Sequence, residues 1–274
     1  MRTNRTCRVN VGKLRGRALL IACVALLVTF TPTAAVETVS CGATVLASLR
    51  LEDDLTCAGG GLVAGADGIE IDLNGHSITG SGSGIGIHVS DRTGVSIRGG
   101  TIANFTTGVQ VQNSTQLSIT GNTFANNGDG VDMMAGSTNT TIKENWFAGS
   151  RTRAVMLRTS TSHNVVKENR FTANRVGILM FGPVETTVKE NVVEGSDQAG
   201  IRVQVIATGN LVAENVVTGN PIGIDFLSGA TGGAVGNVVG ENTIHANDCG
   251  LNGPFGGNTF RENVFTANGA DVCS

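Results

Sequence analysis

A short motif that recurs every 21 to 27 residues constrains the fold of this chain more than any other feature. The motif consists of an apolar residue, any residue, Glu or Gly, Asn, any residue and a second apolar residue. Successive copies are 23, 24, 22, 24, 27 and 21 residues apart. Their asparagines are Asn122, Asn145, Asn169, Asn191, Asn215, Asn242 and Asn263. A repeat of this length predicts a solenoid, in which each copy adds one coil.

The pattern inside each repeat predicts strands. Apolar residues alternate with other residues, as at Val131 and Met133, and no long stretch has the helical period of 3.6. Glycine makes up 39 of the 274 residues, about twice its usual share, which suits many tight turns. We therefore expect an all-β, single-stranded parallel β-helix of about nine or ten coils, roughly 45 Å long at the spacing of neighbouring strands.

Two polar columns are predicted to stabilise the stack. Asparagines that recur once per coil lie about 4.8 Å apart and can bond to one another as a ladder. A second column follows five residues after the first. Its members are Asn127, Ser150, Asn174, Ser196, Asn220, Asn247 and Asn268.

Alternation also predicts which side chains point outward from the longest strand of each coil. One outward column is Gln110, Asp132, Met156, Leu179, Arg202, Asp225 and Asn252. The next is His88, Gln112, Met134, Arg158, Phe181, Gln204 and Leu227. Together they form a strip with an apolar centre between charged ends, which is typical of a binding surface.

This strip supplies the candidate functional residues. We expect Asp132, Arg202 and Asp225 to be the catalytic candidates, because carboxylates act as acids, bases or cation ligands. Met134, Arg158 and Phe181 are the candidates for substrate binding. Arg202 and Asp225 are one coil apart, so we expect them to pair. The alternative to a binding site is a surface ion pair beside an apolar patch that a loop covers. The segment Ser228–Asn237 is either a flap over the strip or a flexible insertion.

A column of glutamates offers a second candidate site for a cation. It consists of Glu144, Glu168, Glu190, Glu214, Glu241 and Glu262. Calcium is the cation that such carboxylates would bind. The alternative is a solvated turn in which Lys143, Lys167, Lys189 and Arg261 balance the charge. The histidines show no zinc-ligand spacing, so no other metal site or cofactor is predicted.

The first 35 residues resemble a secretory signal peptide. A segment with six basic residues precedes the apolar run 18–30, which is too short to span a membrane. A lipobox ending at Cys23 is the alternative. Without residues 1–35, 13 of the 19 Lys and Arg remain against 22 Asp and Glu, a net charge of −9. We expect a secreted or periplasmic monomer that binds no nucleic acid and suits neutral glycans or divalent ions.

Four cysteines remain after this segment, which fits export. Three pairings are open, and we favour Cys41 with Cys57 and Cys249 with Cys273, one bridge at each end of the solenoid. A thiol–metal cluster is the alternative. We divide the chain into the signal peptide 1–35, an N-terminal cap with the first coils at 36–80, and the repeats with a C-terminal cap at 81–274.

The repeats resemble those of the pectin-lyase-like superfamily, including its NosD-type and sugar-hydrolase members. The segments DLTC (54–57) and GADGIEIDLNGHSITG (65–80) resemble the start of secreted proteins of that group. The resemblance implies a right-handed helix and a polysaccharide as ligand or substrate, with lyases and hydrolases among the relatives. The aspartate motifs and the catalytic tyrosine of the best-known enzymes are absent, so enzyme activity stays open. The alternative is a non-catalytic, adhesin-like protein.

Overall fold

The computed structural model describes residues 39–227 and 233–273, which form a right-handed parallel β-solenoid. Ten coils of three short strands follow one another, and an eleventh strand completes the first sheet. The predicted fold class and coil number are confirmed. Coils continue without a break across the boundary expected at residue 80. The predicted signal peptide and part of the predicted flap, residues 228–232, lie outside the described residues.

Each coil contributes one strand to each of three parallel sheets. Sheet A contains β1 (Thr44–Val45), β4 (Leu62–Ala64), β7 (Ile85–Ser90), β10 (Thr107–Gln112), β13 (Asp129–Met133), β16 (Arg153–Leu157), β19 (Val176–Phe181), β22 (Ala199–Gln204), β25 (Ile222–Leu227), β28 (Cys249–Asn252) and β31 (Ala270–Cys273). Sheet B contains β2 (Leu49–Arg50), β5 (Glu70–Asp72), β8 (Ser96–Arg98), β11 (Ser118–Thr120), β14 (Thr141–Lys143), β17 (Val165–Lys167), β20 (Thr187–Lys189), β23 (Leu211–Ala213), β26 (Val238–Gly240) and β29 (Thr259–Arg261). Sheet C contains β3 (Leu55–Thr56), β6 (Ser77–Thr79), β9 (Thr101–Ala103), β12 (Thr123–Ala125), β15 (Trp146–Ala148), β18 (Arg170–Thr172), β21 (Val192–Glu194), β24 (Val216–Thr218), β27 (Thr243–His245) and β30 (Val264–Thr266).

The core lies inside the coils, where equivalent side chains stack on one another. Phe124, Phe147 and Phe171 occupy one register position of sheet C, and their rings stack with centroids 4.7 and 4.9 Å apart. Burying each ring contributes about 2 to 3 kcal/mol. The residues expected to point inward from sheet A are buried. They are Val131, Met133, Val155, Leu157, Ile178, Met180, Ile201, Val203, Ile224 and Phe226.

The asparagines of the repeat motif form a buried ladder between sheets B and C, which we call the first ladder. Asn191 shows its chemistry. Its side-chain amide donates to Asn215 Oδ1 at 3.0 Å and to the Val166 carbonyl at 2.9 Å. Its backbone N–H also donates to Asn215 Oδ1, at 3.0 Å. Each of these asparagines thus satisfies a turn that would otherwise leave polar backbone groups buried without partners.

The second polar column forms a similar ladder between sheets C and A, which we call the second ladder. Asn220 donates through both its backbone and side-chain N–H groups to Asn247 Oδ1, at 3.0 and 2.9 Å. Serine interrupts this ladder twice. The buried hydroxyls of Ser150 and Ser196 have no hydrogen-bond partner among the described residues.

A third ladder, between sheets A and B, was not predicted. Its members are Thr140, Asn164, Thr186, Asn210, Asn237 and Asn258. Asn210 donates through its side-chain amide to Asn237 Oδ1 at 2.8 Å, and Asn237 donates to Asn258 Oδ1 at 2.8 Å. These positions precede the first ladder by five residues throughout. That constant offset is the signal that could have identified them.

The glutamate column lies in the turns that join sheet B to sheet C. All six glutamates have left-handed backbone conformations, with φ between 54° and 58°. Lys143 lies 3.0 Å from Glu144 and 3.3 Å from Glu168, and Lys189 lies 2.8 Å from Glu190. The expected charge balance is therefore present in this part of the column.

Disulfides link Cys41 to Cys57 and Cys249 to Cys273, which confirms the favoured pairing. The first closes a loop within the first coil. The second joins β28 to β31, adjacent strands of sheet A, as the spacing of one coil predicted. Cross-links of this kind stabilise a fold mainly by restricting its unfolded chain.

Candidate functional site

The outer face of sheet A is the broadest regular surface of the solenoid. From β7 to β25, the strands of sheet A have five or six residues each, whereas the strands of sheets B and C have at most three. Longer strands present more outward side chains per coil, because every second residue points away from the core. This face carries all six residues that the sequence nominated for catalysis or substrate binding.

The N-terminal part of the face is built on two arginine–aspartate pairs. Arg158 donates from Nε and Nη2 to the two oxygens of Asp132, at 2.8 and 2.9 Å. This bidentate bond is the main cause that raises the pKa of Arg158 above its ordinary value. Only 2% of Asp132 is exposed, so the arginine screens its carboxylate from water. Such a bidentate pair fixes the position of both side chains.

The second pair was not predicted from the sequence. Arg153 donates from Nε and Nη2 to the two oxygens of Asp129, at 2.8 and 2.9 Å. The two residues lie opposite each other on β13 and β16, 24 residues apart. That interval is one coil, so opposite charges one coil apart could have predicted the pair.

An apolar patch follows immediately towards the C-terminus. We call it the sheet A patch, and it consists of Met156, Val176, Leu179 and Phe181. Met156 and Leu179 lie opposite each other on β16 and β19, and Phe181 is half-buried at the edge of the patch. Met156, Val176 and Leu179 are buried although they lie on the outward side of the sheet, so Phe181 is the member of the patch that a ligand could reach.

A third arginine–aspartate pair lies on the C-terminal side of the patch. Arg202 Nε donates to Asp225 Oδ2 at 2.8 Å, and Asn252 Nδ2 donates to Asp225 Oδ1 at 2.8 Å. Both carboxylate oxygens of Asp225 are thus occupied, and only 1% of the residue is exposed. Beside it, the Gln198 amide oxygen can accept from Arg175 Nε and Nη2, at 3.0 and 3.1 Å.

The three catalytic candidates do not form one cluster. Arg202 and Asp225 are in contact, as their spacing of one coil predicted. Asp132 is four strands away from Asp225, about 19 Å at the usual strand spacing. Paired carboxylates that hydrolyse glycosides are about 5 to 9.5 Å apart. Asp132 and Asp225 therefore cannot act on the same glycosidic bond.

The substrate-binding candidates lie along one edge of the same face. Met134 follows β13 and is half-buried, and Arg158 and Phe181 continue along that edge. The position expected for His88 was wrong by two residues. His88 lies opposite Gln110, in the first outward column, and Ser90 lies opposite Gln112 in the second. The turn between β6 and β7 is longer than the equivalent turns of later coils, so counting back by one coil from Gln112 gave the wrong residue.

Within residues 39–227 and 233–273, no three His, Cys, Asp or Glu side chains come together as a metal-binding group. In the same part of the chain, no helix is long and apolar enough to cross a membrane. The disulfides are compatible with an extracellular or periplasmic protein.

Comparison with protein families gives one matching model, described as the right handed beta helix region. It matches residues 56–180, 83–244 and 155–273, which overlap and together cover most of the chain. No curated protein matches the sequence.

Solved structures with the same fold include three that concern polysaccharides. An alginate lyase from Paenibacillus sp. strain FPU-7 has a TM-score of 0.61 and 14% identity, over 79% of this chain and 91% of the lyase. The A-module of a mannuronan C-5 epimerase from Azotobacter vinelandii has a TM-score of 0.55 and 13% identity, over 85% of this chain and 78% of the module. A tailspike protein variant of Escherichia coli bacteriophage HK620, in complex with a pentasaccharide, has a TM-score of 0.58 and 14% identity, over 84% of this chain and 53% of the tailspike. At these identities the similarity concerns the fold.

Proposed function

The chain belongs to the right-handed beta helix family, and from this membership we propose that it binds a polysaccharide on the outer face of sheet A. We further propose that it does so outside the cytoplasm, after export through the signal peptide at 1–35. The outer face of sheet A is a long regular surface that can accommodate an extended ligand. Structural neighbours that process or bind polysaccharides support this ligand class.

The sheet A patch is the observation that carries the proposal. Sugar rings have apolar C–H faces, which pack against aromatic and aliphatic side chains. Phe181, half-buried at the edge of the patch, is the member that offers such a surface, and it packs against Met156 and Leu179, which are 3% and 7% exposed. Polar groups at a few fixed points around an apolar floor are the usual composition of a ligand site.

Arginines flank the patch and would contact sugar hydroxyls or carboxylates. Arg158 lies on one side and Arg202 on the other, and each is held in position by an aspartate. A guanidinium group has five N–H donors, so a group that bonds one carboxylate still has donors for a ligand. The aspartates thus act as positioning residues for the arginines.

Binding without bond cleavage is the function that this geometry supports best. Asp132 and Asp225 are each hydrogen-bonded to an arginine and almost fully buried, so neither carboxylate is placed to contact a ligand on this face. The pair Arg202–Asp225 is the one place where two catalytic candidates meet, so it is where cleavage would have to occur. A lyase or hydrolase activity is the second candidate function.

The experiment is a binding measurement on a panel of neutral and uronate polysaccharides, with and without calcium. Isothermal titration calorimetry would follow a positive result on a glycan array. We expect Phe181→Ala to weaken binding at least tenfold, the loss of about 1.4 kcal/mol. The matched control is Trp146→Ala, because Trp146 is 47% exposed on the outer face of sheet C.

The outcomes separate the candidate functions. No binding across the panel would overturn the proposal and favour an adhesin-like structural protein. Equal losses in the Phe181 and Trp146 variants would place the ligand elsewhere than on sheet A. Release of reducing ends, or of unsaturated ends absorbing in the ultraviolet, that disappears in Asp225→Asn would establish cleavage. A calcium requirement for binding would establish the cation that the glutamate column suggests.

A further inference from the structure

The edge of sheet A from which the chain turns towards sheet B carries a side-chain amide that the protein itself does not use. Gln204 is the last residue of β22, and it lies opposite Phe181 of the preceding coil and Leu227 of the following coil. It is half-buried, and its side chain forms no hydrogen bond to another of the described residues. Its two N–H donors and its carbonyl oxygen are therefore available to a ligand.

Apolar side chains surround this amide. Ile206 is 51% exposed and Leu227 is 36% exposed. A Cβ atom on Gly182, the residue after Phe181, would lie 3.4 Å from Ile206 Cγ1, so Ile206 reaches back towards the coil that carries Phe181. We call Phe181, Gln204, Ile206 and Leu227 the Gln204 edge. A polar group framed by apolar ones is the usual composition of a ligand site.

The backbone beside Gln204 is strained. Val205 has a φ of 63°, which is in the left-handed region, and it is the one β-branched residue with a positive φ in the part of the chain that the structure describes. The residues that follow the last strand residue of sheet A in three other coils, also with positive φ, are Asp91, Asn113 and Gly182. These residue types tolerate the conformation, whereas a β-branched residue does not. Such strain is concentrated at ligand sites.

Charge on the face favours a neutral ligand. Arg153, Arg158 and Arg202 each bond to an aspartate of the same face. The three pairs carry no net charge, so they give a polymer of uronate residues little net attraction.

We propose that the Gln204 edge binds an acetamido group, so that the ligand is a neutral polysaccharide that contains N-acetylated amino sugars. This inference rests on the proposed binding of a polysaccharide to sheet A. An acetamido group has an N–H donor, a carbonyl acceptor and a methyl group. Gln204 Oε1 can accept from the N–H and Nε2 can donate to the carbonyl, while the methyl group packs against Ile206 and Leu227. A sugar hydroxyl in the same place has no methyl group to fill the apolar frame.

The test compares N-acetylchitopentaose with cellopentaose by isothermal titration calorimetry. The two chains have the same linkages and differ only in an acetamido group or a hydroxyl on each ring. We expect the acetylated chain to bind at least about tenfold more tightly, because a site built to bond a polar group rejects an analogue that lacks it. Gln204→Ala should reduce this preference to less than about threefold, because it removes both hydrogen bonds.

The matched control is Gln112→Ala. Gln112 is an exposed glutamine of the same outward column, but it lies beside Ser90 rather than between apolar side chains of the Gln204 edge. This control should keep the full preference for the acetylated chain. Circular dichroism establishes that both variants keep their β structure.

Saturation-transfer difference NMR with free N-acetylglucosamine makes the test independent of linkage. We expect the strongest signal from the acetyl methyl protons, and we expect Gln204→Ala to abolish it. A signal that survives this substitution would overturn the inference.

The outcomes distinguish this inference from the proposed function. Equal affinities for the two pentasaccharides, or a preference that Gln112→Ala removes as fully as Gln204→Ala, would overturn the inference alone. Binding of uronate chains in place of the acetylated chain would do the same. Absence of binding to every glycan tested would overturn both the inference and the proposed function.

Discussion

Arg202 and Asp225 lie opposite each other on adjacent strands of sheet A, and their Nε and Oδ2 atoms are 2.8 Å apart. Removal of the arginine would leave a carboxylate that is 99% buried. We expect Arg202→Ala to destabilise the protein by about 3 kcal/mol, as for other buried pairs that lose one partner. The measurement is the urea unfolding midpoint. Arg170→Ala is the control, because its partner Glu194 is exposed and such pairs contribute at most about 1 kcal/mol.

Asn191 is the residue whose loss tests the first ladder. Substitution by alanine would remove Asn191 Oδ1, which accepts from the Asn169 side chain. It would also remove the Asn191 side-chain amide, which donates to Asn215 Oδ1 and to the carbonyls of Val166 and Lys189. Because these groups stay buried, we expect a loss of about 3 kcal/mol or more. Thermal unfolding of Asn191→Ala checks this. Asn139→Ala, in an exposed turn, should change stability by less than about 1 kcal/mol.

Ser196 offers the opposite test, because its substitution by asparagine would complete the second ladder. Its hydroxyl is buried without a partner, although its backbone N–H already donates to Asn220 Oδ1 at 2.8 Å. The side-chain amide of an asparagine there would donate to Asn220 Oδ1, as the side-chain amide of Asn220 donates to Asn247 Oδ1. We expect Ser196→Asn to stabilise the protein by about 1 kcal/mol, measured as a higher Tm. A lower Tm would mean that the space beside Ser196 is too small.

Asp54 gives the protein a pH dependence of defined sign. Its Oδ1 accepts from the Ser77 backbone N–H at 2.7 Å, and this bond is the main cause that lowers the pKa of Asp54. The Asp54 carboxyl group therefore binds its proton more tightly in the unfolded chain than in the folded protein. The stabilisation is therefore complete above the ordinary pKa of 3.8 and is lost as pH falls through the lower folded value. As the pH is lowered from 6 to 2, the urea unfolding midpoint should fall less steeply in Asp54→Asn than in the control Asp53→Asn.

The disulfide between Cys249 and Cys273 should contribute about 3 kcal/mol, the chain-entropy value for a loop of this size. Replacement of both cysteines by alanine should lower the urea midpoint accordingly. It should also loosen strands β29 to β31 before the rest of the solenoid unfolds. Hydrogen exchange resolves this order, and uniform protection across all coils would contradict it.

The fold was predictable because one periodic signal determined it. The interval between asparagines indicated the coil, and the alternation of Val131 and Met133 indicated the inward face. Both signals arise from local backbone geometry, which repeats in every coil. Handedness did not follow from spacing and came from the family resemblance.

The candidate site was predictable only in part, since it depends on contacts between coils. The pair Arg202–Asp225 was expected from its spacing, but the pair Arg153–Asp129 was missed. His88 was assigned to the wrong column because the turn before its strand differs in length. The burial of Asp132 could not be predicted either, because the side chain that covers it, Arg158, comes from the next coil.

The three ladders divide each coil into a constant part and a variable part. From each third-ladder position to the first is five residues, and from the first to the second is five more, in the coils that contain all three ladders. The rest of the coil, which contains sheet A, ranges from 11 residues between Asn247 and Asn258 to 17 between Asn220 and Asn237. In these coils the differences in length are thus confined to the side that carries the candidate face. Evolution can remodel what this surface recognises while the supporting framework keeps its dimensions.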